Sequence, residues 1–197
     1  MSLERDLEFL YEVGNLRFIP RQWSRFLNVD FANVAEHHYR VMWLALMIAN
    51  YEKKADTGKI IKMALMHDIT ESRTGDVDYI SRQYVKRDEE LAINDMLQKT
   101  SLQKEFVELW QEYEERKSIE SRIVKDADTL DVDMELAEQR ARGIPLEKQW
   151  SKQRAHVRNT QLFTKGAKKI SAAIKGSNPD DWHKNGRNRL NSGDWKR

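Results

Sequence analysis

The sequence predicts an all-α protein. Three observations carry that expectation: apolar residues recur at three- and four-residue spacing, no stretch alternates with the period of two of a half-buried strand, and only 8 glycines and 3 prolines interrupt 197 residues. Hydrophobic residues are 40% of the chain and charged residues 34%, a balance that fits a packed core and excludes collagen-like, proline-rich and wholly disordered classes.

Each helix has its own local justification. Leu3, Leu7, Leu10 and Tyr11 share one face, and Gly14 is a plausible stop. Residues 15–32 lose periodicity around Pro20 and read as a loop carrying Arg17, Arg21, Trp23 and Arg25. Asn33 followed by Glu36 is a capping-box pattern, and the helix behind it is expected to reach about Lys54, burying Val34, Val41, Leu44 and Ile48. Thr57 is the expected cap of a helix from Gly58 to about Asp68, whose Ile60, Ile61, Met63, Ala64, Leu65 and Met66 leave almost no polar face and place it centrally. Residues 69–80, with Gly75, read as a connecting loop; 81–99 and 101–116 are charge-rich and helical with solvated outer faces. Ser118 caps a helix to about Arg142, Gly143 and Pro145 break it, and helices follow near 146–158 and 160–175, the last ended by Gly176.

One domain over 1–176 and a polar tail over 177–197 is therefore the expected organisation. The tail mixes Lys184, Arg187, Arg189, Lys196 and Arg197 with Trp182 and Trp195, a composition that can stack on single-stranded nucleic acid but more often serves as a docking end. The whole chain, with 34 Lys and Arg against 32 Asp and Glu, has a net charge of +2 and no global pull toward nucleic acid or an anionic membrane. The absence of cysteine excludes a disulfide scaffold, a thiolate metal site and a cysteine nucleophile. The longest apolar run, Val41 to Ala49, is too short to span a bilayer, and the first residues do not resemble a signal peptide. A soluble, cytoplasmic protein is the expectation.

Chemistry concentrates in three places. His37 falls near the centre of the apolar stripe of its helix and His38 toward the edge; each ring nitrogen there needs a partner, and a core histidine bonded to a carbonyl is the plain structural explanation. His67 stacks above Ile60 and Met63, and Asp68 above Ile61, Ala64 and Leu65, so both emerge from the end of the most apolar helix. A carboxylate at a helix C-terminus opposes the dipole, which makes His67-Asp68 a poor choice for stability and a sensible one for a ligand. The run Lys125-Asp126-Ala127-Asp128-Thr129-Leu130-Asp131 sets three acids among apolar neighbours, and periodicity alone does not choose between Asp126 and Asp128. Two imidazoles and two carboxylates would form a nitrogen–oxygen site suited to Mn, Co, Zn, Fe or Ni.

Four segments in this order, Val34-Ala35-Glu36-His37, Met66-His67-Asp68-Ile69-Thr70-Glu71, Thr74-Gly75-Asp76-Val77 and Lys125-Asp126-Ala127-Asp128, resemble the HD-domain metal-dependent phosphohydrolases, and within them the small 5′-deoxynucleotidase branch, over about residues 1–140. The resemblance implies a compact HD-domain bundle holding one divalent metal through His37, His67, Asp68 and Asp128. It assigns Glu71 and Asp76 as acids that activate or orient the attacking water, Arg21 as a contact to the substrate phosphate, and Trp23 a place beside the sugar. It implies a nucleoside 5′-monophosphate as substrate and a homodimer or higher homo-oligomer as the assembly. The pattern departs at Gln22, which separates Arg21 from Trp23, and at His38, where relatives often carry serine. A deoxynucleoside triphosphohydrolase using the same ligands is the alternative, with Arg17, Arg25 and Arg40 as candidate cations for the outer phosphates; a catalytically silent nucleotide-binding module is another. His156 and His183 have no matched role.

Overall fold

Every regular element in the computed structural model, which describes residues 1–27 and 30–184, is helical. In chain order these are α1 (Leu3–Gly14), α2 (Val34–Ala49), α3 (Thr57–Met66), α4 (Glu71–Thr74), α5 (Glu89–Leu97), α6 (Gln103–Glu115), α7 (Ile119–Ala141), α8 (Leu146–Thr160), α9 (Lys165–Gly176) and α10 (Asp181–Lys184), with single 3₁₀ turns at Asn15–Phe18, Gln22–Arg25 and Ser81–Gln83. Among the described residues there is no strand; an isolated bridge joins Pro20 to Asn33. Arg187, Arg189, Trp195, Lys196 and Arg197 of the basic-aromatic tail lie outside the described residues.

Capping residues set most helix starts. Asn33 and Glu36 form the expected capping box, each side chain accepting the other's backbone N–H at 3.0 Å. Ser118 accepts from Ser121 N–H at the start of α7, and Thr164 from Ala167 N–H at the start of α9. The start of α3 is capped by Asp56, one residue before the expected Thr57. Helix α2 stops at Ala49 rather than Lys54, because the chain turns there and Lys54 takes a left-handed φ of 69°. The segment 81–99 is not one helix. The Asp78 carboxylate accepts from Ile80 N–H, Ser81 N–H and the Ser81 hydroxyl, which fixes a turn, and α5 starts only after its own cap, Asp88.

Helices α2, α3 and α7 pack against one another and form the centre of the molecule. Val34, Val41 and Ile48 of α2, Ile60 and Met63 of α3, and Ile123 and Leu130 of α7 are fully enclosed. Helix α6 closes one side with Phe106, Leu109 and Trp110, and α5 adds Ile93, Met96 and Leu97. Burial of that much apolar area is the main favourable term in folding. The expectation that α3 is apolar all round needs correction: Ile61 is 39% and Leu65 46% exposed, because α2, α6 and α7 cover only one face.

Candidate metal centre

The central helices deliver four side chains to one point. His37 sits one turn into α2, His67 and Asp68 follow the last turn of α3, and Asp128 lies midway along α7. One ligand atom from each falls within 4.8 Å of all the others. His37 Nε2 stands 3.2 Å from His67 Nε2, 3.2 Å from Asp128 Oδ1 and 3.7 Å from Asp68 Oδ2, and His67 Nε2 is 3.3 Å from Asp68 Oδ2.

The outer hydrogen bonds of both rings fix which nitrogen faces inward. The His67 Nδ1–H donates to the Ala64 carbonyl at 2.8 Å, which leaves its Nε2 lone pair toward the cluster. The His37 Nδ1–H donates to Asp131 Oδ2 at 2.6 Å. Asp131 in turn accepts from Arg40, and Arg40 also reaches Glu138 at 2.7 Å and Glu135 at 3.1 Å. Asp131 and Arg40 are the orienting residues that sequence reasoning missed. Asp131 was visible only as a third acid in a run, one turn beyond Asp128.

Two inward-facing imidazole nitrogens and two carboxylates are a donor set compatible with a divalent cation. Burial and the neighbouring Arg21 both oppose a charge on His37, yet hydrogen bonds to Asp128, Asp131 and Asp68 push its pKa up to about 10. Burial works against the ionised forms of Asp68 and Asp128, but the cations and imidazoles around them hold both well below the usual carboxylate range.

Of the two aspartates, Asp128 joins the cluster and Asp126 does not. Asp126 faces away from the cluster and accepts from Phe163 N–H at 2.9 Å, Thr164 N–H at 2.8 Å and the Thr164 hydroxyl at 2.7 Å. Its role is to anchor the start of α9. His38 is 5% exposed, not at the edge of the stripe. Its ring lies 4.4 Å from that of His67 at an interplanar angle of 31°, its Nε2 has no hydrogen-bond partner, and burial, reinforced by His67, holds it neutral.

A cavity of about 570 Å³ opens over the cluster and collects the remaining expected residues: Arg21, Trp23, Asp68, Glu71, Asp76 and Asp128 all line it. The Arg21 guanidinium is 6% exposed and lies 3.6 Å from Asp68, 3.6 Å from Asp76 and 3.9 Å from Asp128. Gln22 has a definite job. Its backbone N–H donates to Asp76 Oδ2 at 3.0 Å and its amide to Asp76 Oδ1 at 3.1 Å, which pins the acid beside Arg21. Glu71 opens α4 with Oε2 buried and unpartnered and Oε1 3.6 Å from Arg87. Burial, with Asp68 and Asp76 nearby, raises its pKa well above the ordinary glutamate value. Trp23 is half-buried and meets the Trp150 ring edge-on at 5.6 Å.

The arginines expected to serve outer phosphates are elsewhere. Arg17 lies over Phe18, Arg25 pairs with Asp78 at 2.7 Å, and Arg40 is held by Asp131, Glu135 and Glu138; none lines the cavity. His156 and His183 also lie away from it, His183 3.5 Å from Asp180.

Comparison with known proteins bears on the family and the fold. The HD domain family matches residues 13–171. A 5′-deoxynucleotidase of Bos taurus, HDDC2, is 34% identical over 138 residues, 67% of this chain and 66% of its own length. A protein of the same name from Dictyostelium discoideum is 34% identical over 138 residues, covering 64% of this chain and 73% of the relative. The alignment thus spans just under two thirds of the bovine relative. Among solved structures, a conserved hypothetical protein from Pyrococcus furiosus superposes with a TM-score of 0.68 at 26% identity, covering 86% of this chain and 98% of its own. A predicted metal-dependent phosphohydrolase from Magnetospirillum magnetotacticum shares the fold, with a TM-score of 0.69 at 23% identity over 87% of this chain and 92% of the other.

Proposed function

The chain belongs to the HD domain family, and from that premise we propose that it is a metal-dependent 5′-nucleotidase, hydrolysing (deoxy)nucleoside 5′-monophosphates to nucleoside and orthophosphate. The observation that carries the reading is the convergence of His37, His67, Asp68 and Asp128 within 4.8 Å, in the same cavity as the buried Arg21. In this reading the four residues hold one divalent ion, drawn from Mn, Co, Zn, Fe or Ni. Such an ion supplies Lewis acidity toward the phosphoryl group and lowers the pKa of water.

The protein's own groups supply the rest. With Asp68 and Asp128 engaged as ligands, the Arg21 guanidinium has donors to spare for phosphate oxygens, in the bidentate fashion guanidinium allows. Asp76, fixed by Gln22, holds Arg21 at its post. Glu71, whose pKa burial raises well above the ordinary glutamate value, takes the proton of the attacking water. Trp23, which lines the cavity and is backed edge-on by Trp150, offers the aromatic surface against which the nucleoside rests.

Charge favours a monophosphate over a triphosphate. Six cationic and six acidic side chains line the cavity, so the lining is balanced and a dianionic phosphate neutralises a divalent ion. A triphosphate brings about two further negative charges that this lining does not meet. We further propose that the enzyme acts in the cytoplasm, where its substrates are, and that it forms a homodimer or higher homo-oligomer. Among the described residues no helix is long and apolar enough to cross a membrane. Tyr39, Trp43 and Met47, at four-residue spacing on α2, are 63%, 53% and 58% exposed, an apolar stripe suited to a second copy.

Product chromatography tests the activity. Metal-stripped protein, reloaded separately with Mn, Co, Zn or Mg, is incubated with ribo- and deoxynucleoside mono- and triphosphates. Metal-dependent release of nucleoside and orthophosphate from monophosphates is expected. Tripolyphosphate release, or turnover by no metal form, overturns the proposal.

A further inference from the structure

Of the cations that line the cavity besides Arg21, Arg87 lies 3.6 Å from Glu71, Arg82 donates to the Val77 carbonyl at 2.7 Å and Arg154 to Asp133 at 2.8 Å, which leaves Lys125 and Arg116. Lys125 lies on α7 one turn before Asp128, and its ammonium donates to Asp128 Oδ2 at 2.7 Å. Arg21 approaches the other oxygen of that carboxylate, 3.9 Å from Oδ1. The two cations therefore flank one ligand, and the cavity reaches both.

Arg116 ends α6 with a left-handed φ of 55°. That backbone is uncommon for a residue with a Cβ and costs free energy that something must offset. Its guanidinium lies 3.4 Å from the centre of the Tyr113 ring, and Tyr113 is itself buried, with its ring 5.9 Å from that of His67. The stacking locates the charge on the cavity wall. Among the described residues its one carboxylate partner is weak, Glu114 at 3.4 Å, and Nη1 is buried with no hydrogen-bond partner. A buried guanidinium nitrogen without an acceptor is an unmet requirement for an anion's oxygen.

We propose that Lys125 and Arg116 form the second half of a phosphate cradle, binding phosphate oxygens that Arg21 does not take. Arg21 and this pair then hold the phosphoryl group between them, and its phosphorus is presented to water in one orientation. The inference rests on the nucleotidase reading. It assigns positioning and affinity to residues that act on phosphate whether or not a nucleoside is attached.

Orthophosphate, a product of the proposed reaction, is therefore the probe. Calorimetric titration of phosphate into the metal-loaded full-length protein is compared with Lys125→Gln, Arg116→Gln and the conservative Lys125→Arg. Hydrogen bonds to charged groups are worth enough that each glutamine variant is expected to weaken phosphate binding by about tenfold or more, with Lys125→Arg restoring part of it. Metal content, measured by elemental analysis, stays at the wild-type level. Phosphate affinity within about twofold of wild type in both glutamine variants overturns the cradle. A Lys125→Gln protein that loses metal while its loaded fraction binds phosphate normally overturns Lys125's part and reduces it to a partner of Asp128. Failure of the wild-type holoprotein to bind phosphate sinks the nucleotidase reading instead.

Discussion

Asp131 touches neither the cavity nor the other three expected ligands, yet the chemistry of His37 passes through it. Its carboxylate fixes the Nδ1 proton and so dedicates Nε2 to the cluster; against burial, His37 and then Arg40 hold that carboxylate below the ordinary aspartate value, and Arg40 keeps it in place. Removing such an orienting group characteristically weakens metal affinity by about 10–100-fold. Asp131→Ala is expected to do so by competition with a chelating dye, with an unchanged far-ultraviolet circular dichroism spectrum; affinity equal to wild type would show that the helix alone orients the ring. Asp131→Asn, whose side-chain oxygen still accepts from Nδ1–H, should lose less. At this scale the sequence was informative about identity and silent about direction. Asp126 and Asp128 are two residues apart in one helix and both have apolar neighbours, so only the packing of α9 against α7 reveals that Asp126 serves Thr164 while Asp128 serves the cluster. The same limit applied to His38: a wheel places it at an edge, but the turn carrying His67 folds over it.

Helix boundaries show the corresponding limit one level up. Starts that depend on a local cap were legible: the Asn33–Glu36 box and Ser118 are where the pattern puts them. The start of α9 depends on a residue 38 positions away, Asp126, and the expectation of a helix from 160 missed it by five residues. Gly166 in its first turn explains itself only in three dimensions. A Cβ there would lie 2.7 Å from the Ile48 carbonyl oxygen and 3.0 Å from Tyr51 Cβ, so the missing side chain lets α9 approach the end of α2. Gly166→Ala is accordingly expected to destabilise the protein by about 1–3 kcal/mol, as overpacking usually does, in urea unfolding followed by fluorescence. Gly176, with nothing within 4 Å of its would-be Cβ, is the internal control: Gly176→Ala should be neutral or mildly stabilising. An equal response at both positions would mean that helix propensity, not the contact with α2, decides.

For the molecule as a whole, the cluster couples folding to acidity. Three helices converge on a point of negative charge, and without a divalent ion the proton on His37 holds them together. The folded pKa, about 10, lies above the ordinary histidine value of 6.5, so this stabilisation is complete below about pH 6.5 and is lost as pH rises through 10. Glu135, raised to about 7 chiefly by burial, acts in the same direction but is exhausted earlier. The slope for one proton is about 1.4 kcal/mol per pH unit, and for a chain of this size each kcal/mol moves the melting temperature by roughly 2–4 °C. The chelated protein is therefore expected to lose about 3–5 °C per pH unit between pH 8 and 10. A divalent ion on the same ligands takes over the proton's role, so the loaded protein should show a much flatter profile and a stabilisation that grows with pH. Calorimetric scans of both forms, with His37→Gln as the variant that has no such proton, measure the difference directly. Parallel profiles for the chelated and loaded proteins would mean that ion and proton do not compete for His37, and would remove it from the ligand set.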